Sequence, residues 1–151
     1  FFLEIKDLSN LTILKFHFET SSLKVRYCET DQMGFVHHSN YLKYFEVARL
    51  EWLATLGISY KKMEESGVFL PVVYSETKYL LPLKFDDSFI VKVAIEELPM
   101  SRLKLNYEIE NIIHKKVCIG KVHLAFLNSK NYKPVRASDK LILEFKKNYE
   151  L

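Results

Sequence analysis

What this sequence lacks bounds it first. Glycine and proline number four each in 151 residues, too few for a low-complexity or collagen-like chain, which draws heavily on both. Two cysteines, Cys28 and Cys118, cannot build a disulfide framework, and neither stands in a Cys-x-x-Cys or Cys/His spacing suited to zinc. The simplest setting for such a chain is a reducing one, the cytoplasm. No apolar run approaches the roughly 20 residues that span a bilayer. Excess charge of one sign is also small: 22 Lys and Arg face 19 Asp and Glu, a formal +3. Nucleic-acid binders concentrate far more positive charge on one face. The length excludes separate cofactor and substrate domains, since one domain takes about 100–150 residues. The chain opens on Phe, and Glu4, Lys6 and Asp7 interrupt any apolar leader in the first stretch.

What is present is a core. Hydrophobic residues make up 48% of the chain and aromatics 14%, mostly Tyr and Phe. Residues 12–19 alternate Leu14, Phe16 and Phe18 against Lys15, His17 and Glu19, a strand pattern or an extension, so residues 1–21 are set apart from a domain at 22–151. Residues 23–29 read as a first strand, with Cys28 packed inside it. After a loop, Ser39 and Asn40 look like helix N-caps. From Tyr41 to Leu56 there is neither Gly nor Pro, and the polar positions Lys43, Glu46 and Arg49 form one narrow stripe. A helix so apolar around its girth is buried. Gly57 stops it, and a short helix over 59–66 closes at Gly67.

Beyond residue 68 the period changes to two. Strands are expected over 69–80, 88–98, 102–110 and 116–127. In the third, Leu103, Leu105, Tyr107 and Ile109 face inward, while Arg102, Lys104, Asn106, Glu108 and Glu110 face out. Ser138 caps a last helix through Lys147. Strands following a helix make an α+β fold with an antiparallel sheet, in which a meander of four long strands wraps the central helix. Its edge strand needs covering, and a second copy is the natural cover.

The chemistry concentrates in residues 25–41, VRYCETDQMGFVHHSNY. Asp31 lies in the loop before the buried helix, and His38 sits at the helix entrance. A helix N-terminus offers free N–H groups and partial positive charge, which polarise a carbonyl and stabilise an oxyanion. A carboxylate just before it is placed to attack or to activate water. Tandem His37 and His38 beside Asp31 make a poor metal site, because adjacent side chains diverge and no third ligand is evident.

Val25-Arg26-Tyr27, Thr30-Asp31, Gly34, Val36, His38, Asn40-Tyr41 and Phe45-Glu46-Ala48-Arg49 resemble the signature of the 4-hydroxybenzoyl-CoA thioesterase family, in its YbgC-like acyl-CoA thioesterase branch. The resemblance runs over roughly residues 22–147. It implies the hot-dog fold, a long helix wrapped by an antiparallel sheet of about five strands. It also implies an acyl-CoA thioesterase, assembled as a homodimer or homotetramer with its active site at the subunit interface and needing no metal or organic cofactor. By the same resemblance, Asp31 is the catalytic carboxylate, and the His38 N–H polarises the thioester carbonyl. Tyr27, Asn40 and Glu46 line the substrate, with the His38 side chain helping to shape the site. Read from the residues alone, Glu46 pairs with Lys43 or Arg49, or else supplies a second carboxylate beside the pocket. One departure stands out: Asp86-Asp87 occupies a position where the family often has Gly-Asp. Two other functions remain open on this scaffold. One is a hydratase or dehydratase of acyl thioesters, although an HxxP-like stretch is missing. The other is a non-catalytic acyl-CoA binding protein.

Overall fold

The computed structural model describes residues 15–149. Two short strands open it, β1 (Phe18–Glu19) and β2 (Leu23–Lys24), followed by a 3-10 turn over Tyr27–Glu29. The central helix α1 (Ser39–Thr55) comes next, then α2 (Tyr60–Glu65), β3 (Val68–Phe69) and β4 (Val72–Tyr79). The long strands β5 (Ser88–Ile95), β6 (Arg102–Asn111) and β7 (Lys116–Ala125) come after it, with β8 (Leu127–Asn128) and α3 (Asp139–Asn148) at the end. The strand expected over 23–29 covers only its first two residues. Arg26 to Glu29 turn instead, because the Glu29 carboxylate folds back onto the Arg26 N–H (2.8 Å). Cys28 is therefore exposed rather than packed in a strand. Residues 12–14 of the first expected strand lie outside the described residues. The remainder of that segment is strand in part: β1 pairs antiparallel with β5, Phe18 against Val93.

The sheet is antiparallel throughout, in the order β1-β5-β6-β7-β4, with β2 also on β5. It is not a simple meander. β4 pairs with β7, Glu76 opposite Lys121, so the chain must cross to the far side before β5 begins. It crosses past the entrance of α1, where Val36 N–H donates to the Leu83 carbonyl (2.8 Å) and Phe35 bridges Lys84. Leu83 is buried in that passage.

α1 lies on the inner sheet face. Phe45 stacks on Tyr107 (4.5 Å) and Tyr44 tilts against Phe89 (4.7 Å). Gly120 makes the approach possible, since a Cβ there would overlap the Phe45 ring, 2.7 Å from Cζ. Trp52 meets Phe145 of α3 at 5.3 Å, and its indole N–H donates to the Tyr149 hydroxyl (2.6 Å). Ser138 caps α3 by accepting from the Leu141 N–H.

Two side-chain expectations are corrected. On β6, Asn106, Glu108 and Glu110 are buried although they point away from the helix. Alternation assigns a face but does not say whether that face is covered. Here register sets Lys92 opposite Glu108 and Lys116 opposite Glu110. Lys92 pairs with Glu110, Lys116 reaches Glu108 (2.8 Å), and Asn106 donates to Glu96 (2.7 Å). On α1, the Lys43–Glu46–Arg49 stripe is not uniform. Arg49 is buried, whereas the apolar Leu42, Val47 and Leu50 are each about 40% exposed. One apolar face of α1 is thus left open by a single copy of the chain.

Candidate active site

The Asp31 loop is built from backbone upward. The Asp31 N–H donates to the Phe35 carbonyl (2.8 Å), Thr30 bridges Val36, and the His37 N–H donates to the Glu29 carbonyl (2.8 Å). These three rungs make a small hairpin that holds Asp31 two residue pairs from the start of α1. Gly34, at φ +79, takes the left-handed turn at its tip, and its N–H donates to the Asp31 carbonyl (2.9 Å). Asp31 Oδ1 accepts the Met33 N–H (2.8 Å), which fixes the carboxylate. Oδ2 has no partner among the described residues.

The helix entrance leaves one N–H group, that of His38, without an acceptor among the described residues. Neither Ser39 nor Asn40 caps it: His38 already has helical backbone angles and makes no side-chain cap bond, while the Ser39 N–H donates to His37 Nδ1 (3.3 Å) and the Asn40 N–H to the His37 carbonyl (2.9 Å). The Ser39 hydroxyl lies instead against His37 Nδ1 (2.8 Å). No acidic residue falls in the first turn, so the positive end of a 17-residue helix is not neutralised there. The His38 N–H has no acceptor among the described residues. Its carbonyl receives the Tyr79 hydroxyl at 3.4 Å, and the exposed His38 ring stands edge-on to Tyr79, centroids 6.5 Å apart.

The other sequence candidates divide. Tyr27 is exposed on the 3-10 turn, its ring edge-on to Phe85 (5.5 Å), beside the loop rather than beneath it. Asn40 is buried with both ends of its amide engaged. Nδ2 donates to the Glu29 carbonyl (2.8 Å) and Oδ1 accepts from Lys43 (2.9 Å). It latches loop to helix. Glu46 lies eight residues into α1 from His38, about 12 Å along the axis. It is exposed and 3.5 Å from the Arg49 guanidinium. The structure thus sets the His38 N–H and Tyr79 at one end of α1, with Asp31 in the hairpin that leads into it and Glu46 on the helix flank.

A model of the thioesterase-like superfamily matches residues 25–145. The chain belongs to that superfamily. The fold is the hot-dog thioesterase fold. A DHNA-CoA thioesterase from Staphylococcus aureus superposes with a TM-score of 0.80 at 31% identity, covering 84% of this chain and 87% of that one. YneP of Bacillus subtilis (strain 168), whose name assigns it provisionally to the acyl-CoA thioesterases, is 39% identical over 95 residues. That match covers 63% of this chain and 69% of YneP. The chloroplast acyl-acyl carrier protein thioesterase ATL3 of Arabidopsis thaliana is 29% identical over 128 residues, 85% of this chain and 67% of ATL3.

One residue of this thioesterase-like site escaped the sequence reading. Glu29 is buried, and its carboxylate is the hub of the loop. Oε2 accepts from the Arg26 N–H and from the Tyr44 hydroxyl (2.7 Å), and Oε1 takes the Arg26 guanidinium (2.7 and 2.9 Å). Burial works to raise its pKa, but the Arg26 backbone and guanidinium and the Tyr44 hydroxyl outweigh it and hold the carboxyl below its usual range. The same carboxylate, with burial, pushes the Tyr44 phenol well up. The available signal was spacing: Arg26 and Glu29 are three apart, as in a capping box. Burial likewise pushes Tyr41, packed against Tyr79 (5.1 Å), up to about 12.

Proposed function

We propose that this protein hydrolyses the thioester of an acyl-CoA, consuming one water to release the free acid and CoA. The observation that carries the reading is the His38 N–H, unpaired among the described residues, at the N-terminus of α1, reached from a hairpin that fixes the Asp31 carboxylate. With the substrate carbonyl oxygen on the His38 N–H, negative charge developing there meets a preoriented donor and the helix dipole. Such a donor contributes roughly 3–4 kcal/mol of transition-state stabilisation. Asp31 Oδ2 then takes the proton of a water that attacks the carbonyl carbon, the C–S bond breaks, and that proton passes to the departing thiolate. Alternatively, Oδ2 attacks the carbon itself and the C–S bond breaks to give an aspartyl anhydride and thiolate. One water then cleaves the anhydride to the free acid, restoring the carboxylate and supplying the thiolate's proton. Asp31 and His38 are the catalytic residues in this reading, Tyr27 and Glu46 bound the substrate cleft, and Asn40, expected there too, latches the loop to the helix instead.

The working unit we propose is a homodimer with its active site at the subunit interface. Every residue of β4 is exposed or half-exposed, although β4 is an eight-residue edge strand. Val72, Val73, Tyr74 and Tyr79 lie open on it, as do Leu42, Val47 and Leu50 on α1. Two copies joined β4 to β4 would pair that edge. No helix among the described residues is long and apolar enough to cross a membrane. We place the enzyme in the cytoplasm, in keeping with its two free thiols.

The deciding experiment is thiol release from short, long and aromatic acyl-CoAs, run for wild type and Asp31→Asn. Turnover should fall about 10²–10⁴-fold in the variant with the thermal transition nearly unmoved. Equal turnover by the two proteins would overturn the role of Asp31. Activity on acyl carrier protein thioesters alone would correct the carrier, and an enoyl product would move the reading to a hydratase.

A further inference from the structure

We propose that a second cavity, at the Gly57 end of α1, binds the phosphate-bearing part of an organic anion. The cavity holds about 210 Å³. Lys62 of α2, Arg136 of the loop before α3, and Lys140 in the first turn of α3 all reach its wall, and no carboxylate lines it. Among the described residues none of these three cations has an acidic side chain within ion-pair distance. The contrast with their neighbours is informative: Lys61 pairs with Glu65 and Lys147 with Glu144. Three exposed positive charges with no acidic partner line one concavity, and that excess of one sign favours entry of an anion. Arg136 adds a planar fork suited to a phosphate, and the lysines add point charges. α3, ten residues long, starts at the same wall with Ser138 as its cap. The charge opposing this arrangement is Asp139, exposed in the first turn of α3.

The floor is of a different character. Ile58, Met63 and Val68, each half-buried, present apolar surface, which an inorganic ion would leave unused. The occupant is therefore a phosphate ester carrying a flat or apolar body, a nucleotide fragment by class. The cavity is too small for a whole cofactor, since drug-sized ligands take about 300–1,000 Å³. It is also not the catalytic site of the same copy. α1 has 17 residues, so the Gly57 end lies about 25 Å along the helix from His38. Two sources share this chemistry. One is the nucleotide end of the acyl-CoA itself, which rests on the proposed hydrolase reading. The other is a free nucleotide acting as an effector, which does not.

The test is titration calorimetry of the full chain at low salt with adenosine 3′,5′-bisphosphate, AMP, inorganic phosphate and adenosine. Affinity should fall in that order, with adenosine silent, and weaken as salt is raised. Arg136→Gln with Lys140→Gln should weaken the bisphosphate about tenfold or more, with an unchanged thermal transition showing that the fold is intact. Wild type that takes up no bisphosphate at millimolar concentration, or binding unchanged in the double variant, overturns the proposal. The same variant assayed on acyl-CoA and on the matching acyl-pantetheine separates the sources. A raised KM for the CoA ester alone, at constant kcat, assigns the pocket to the substrate nucleotide. Binding lost with KM unmoved assigns it to an effector. If no thioester is hydrolysed at all, the titration still decides the pocket, so the two readings fail separately.

Discussion

Glu29 shows how one carboxylate arranges a site without touching substrate. It holds Arg26 and Tyr44, and the Glu29 main-chain carbonyl holds His37 and Asn40, so the hairpin that presents Asp31 is tied both to the turn before it and to the helix after it. Glu29→Gln keeps the shape but loses the charge that strengthens the four bonds to its carboxylate. We expect kcat to fall about tenfold with KM little changed, because ground-state binding does not pass through Glu29. The pH dependence of stability has a definite sign. The folded carboxyl lies below its ordinary value of 4.5, so its contribution is present above that value and is lost as pH falls through the lowered one. Thermal melts across the acid range should show a shallower loss for Glu29→Gln than for wild type; parallel curves would remove the argument. At position 86 the departure from the family pattern becomes intelligible. Asp86 sits at φ 71, a left-handed conformation that glycine adopts freely and aspartate tolerates. Its ion pair with Lys24 is exposed on both sides and contributes little. The expected order of stability is Asp86→Gly at or above wild type and Asp86→Ala about 1 kcal/mol below the glycine variant, read from chemical denaturation.

At the scale of elements, the contact between α1 and the sheet turns on a missing side chain. Phe45 fills the space over Gly120 and stacks on Tyr107, so Gly120→Ala must push the helix outward. A destabilisation of about 1–3 kcal/mol is expected, and Phe45→Leu in the same chain should recover part of it. Additive losses in that double variant would mean that the two side chains do not compete for one volume. The periodic elements were legible because their causes are local: the Gly- and Pro-free run of α1, the alternation of β6, and Ser138 before α3. The resemblance singled out Asp31 and His38 as candidates for the same reason, since they lie seven residues apart in one motif. What sequence did not disclose is long-range. That β4 lies beside β7 depends on the crossover under Leu83. That Glu108 and Glu110 are buried depends on lysines from two other strands. The 3-10 turn at Tyr27–Glu29 replaces an apparent strand because Glu29 finds Tyr44, 15 residues away. Asn40 read as a cap because its type suits one, yet its amide reaches back 11 residues to Glu29.

The molecule as a whole is incomplete in one direction. Its sheet has two edges. One carries β1 and β2 laid over β5, where the His17 N–H donates to Val93 and the Thr20 N–H to Val91. The other is β4, eight residues long, apolar at Val72–Tyr74 and Tyr79, and bare among the described residues. An edge of that kind invites pairing with another chain, and the half-exposed apolar face of α1 gives a second surface to cover. A two-fold axis beside β4 would make the contact self-complementary. It would also set the end of β4 near Tyr79, where the hydroxyl touches the His38 carbonyl, against the beginning of the partner's β4. Assembly and catalysis are then one property. Val73→Lys places a charge on the bare edge without altering Asp31, His38 or any side chain bonded to them. Light scattering after gel filtration should show the wild type at twice the mass of one chain and the variant at once that mass. Thiol release by the variant should fall at least about tenfold at low protein concentration and recover as concentration is raised, since mass action restores the dimer. A monomeric variant with full activity at every concentration would separate the edge from the site and leave each copy catalytically whole.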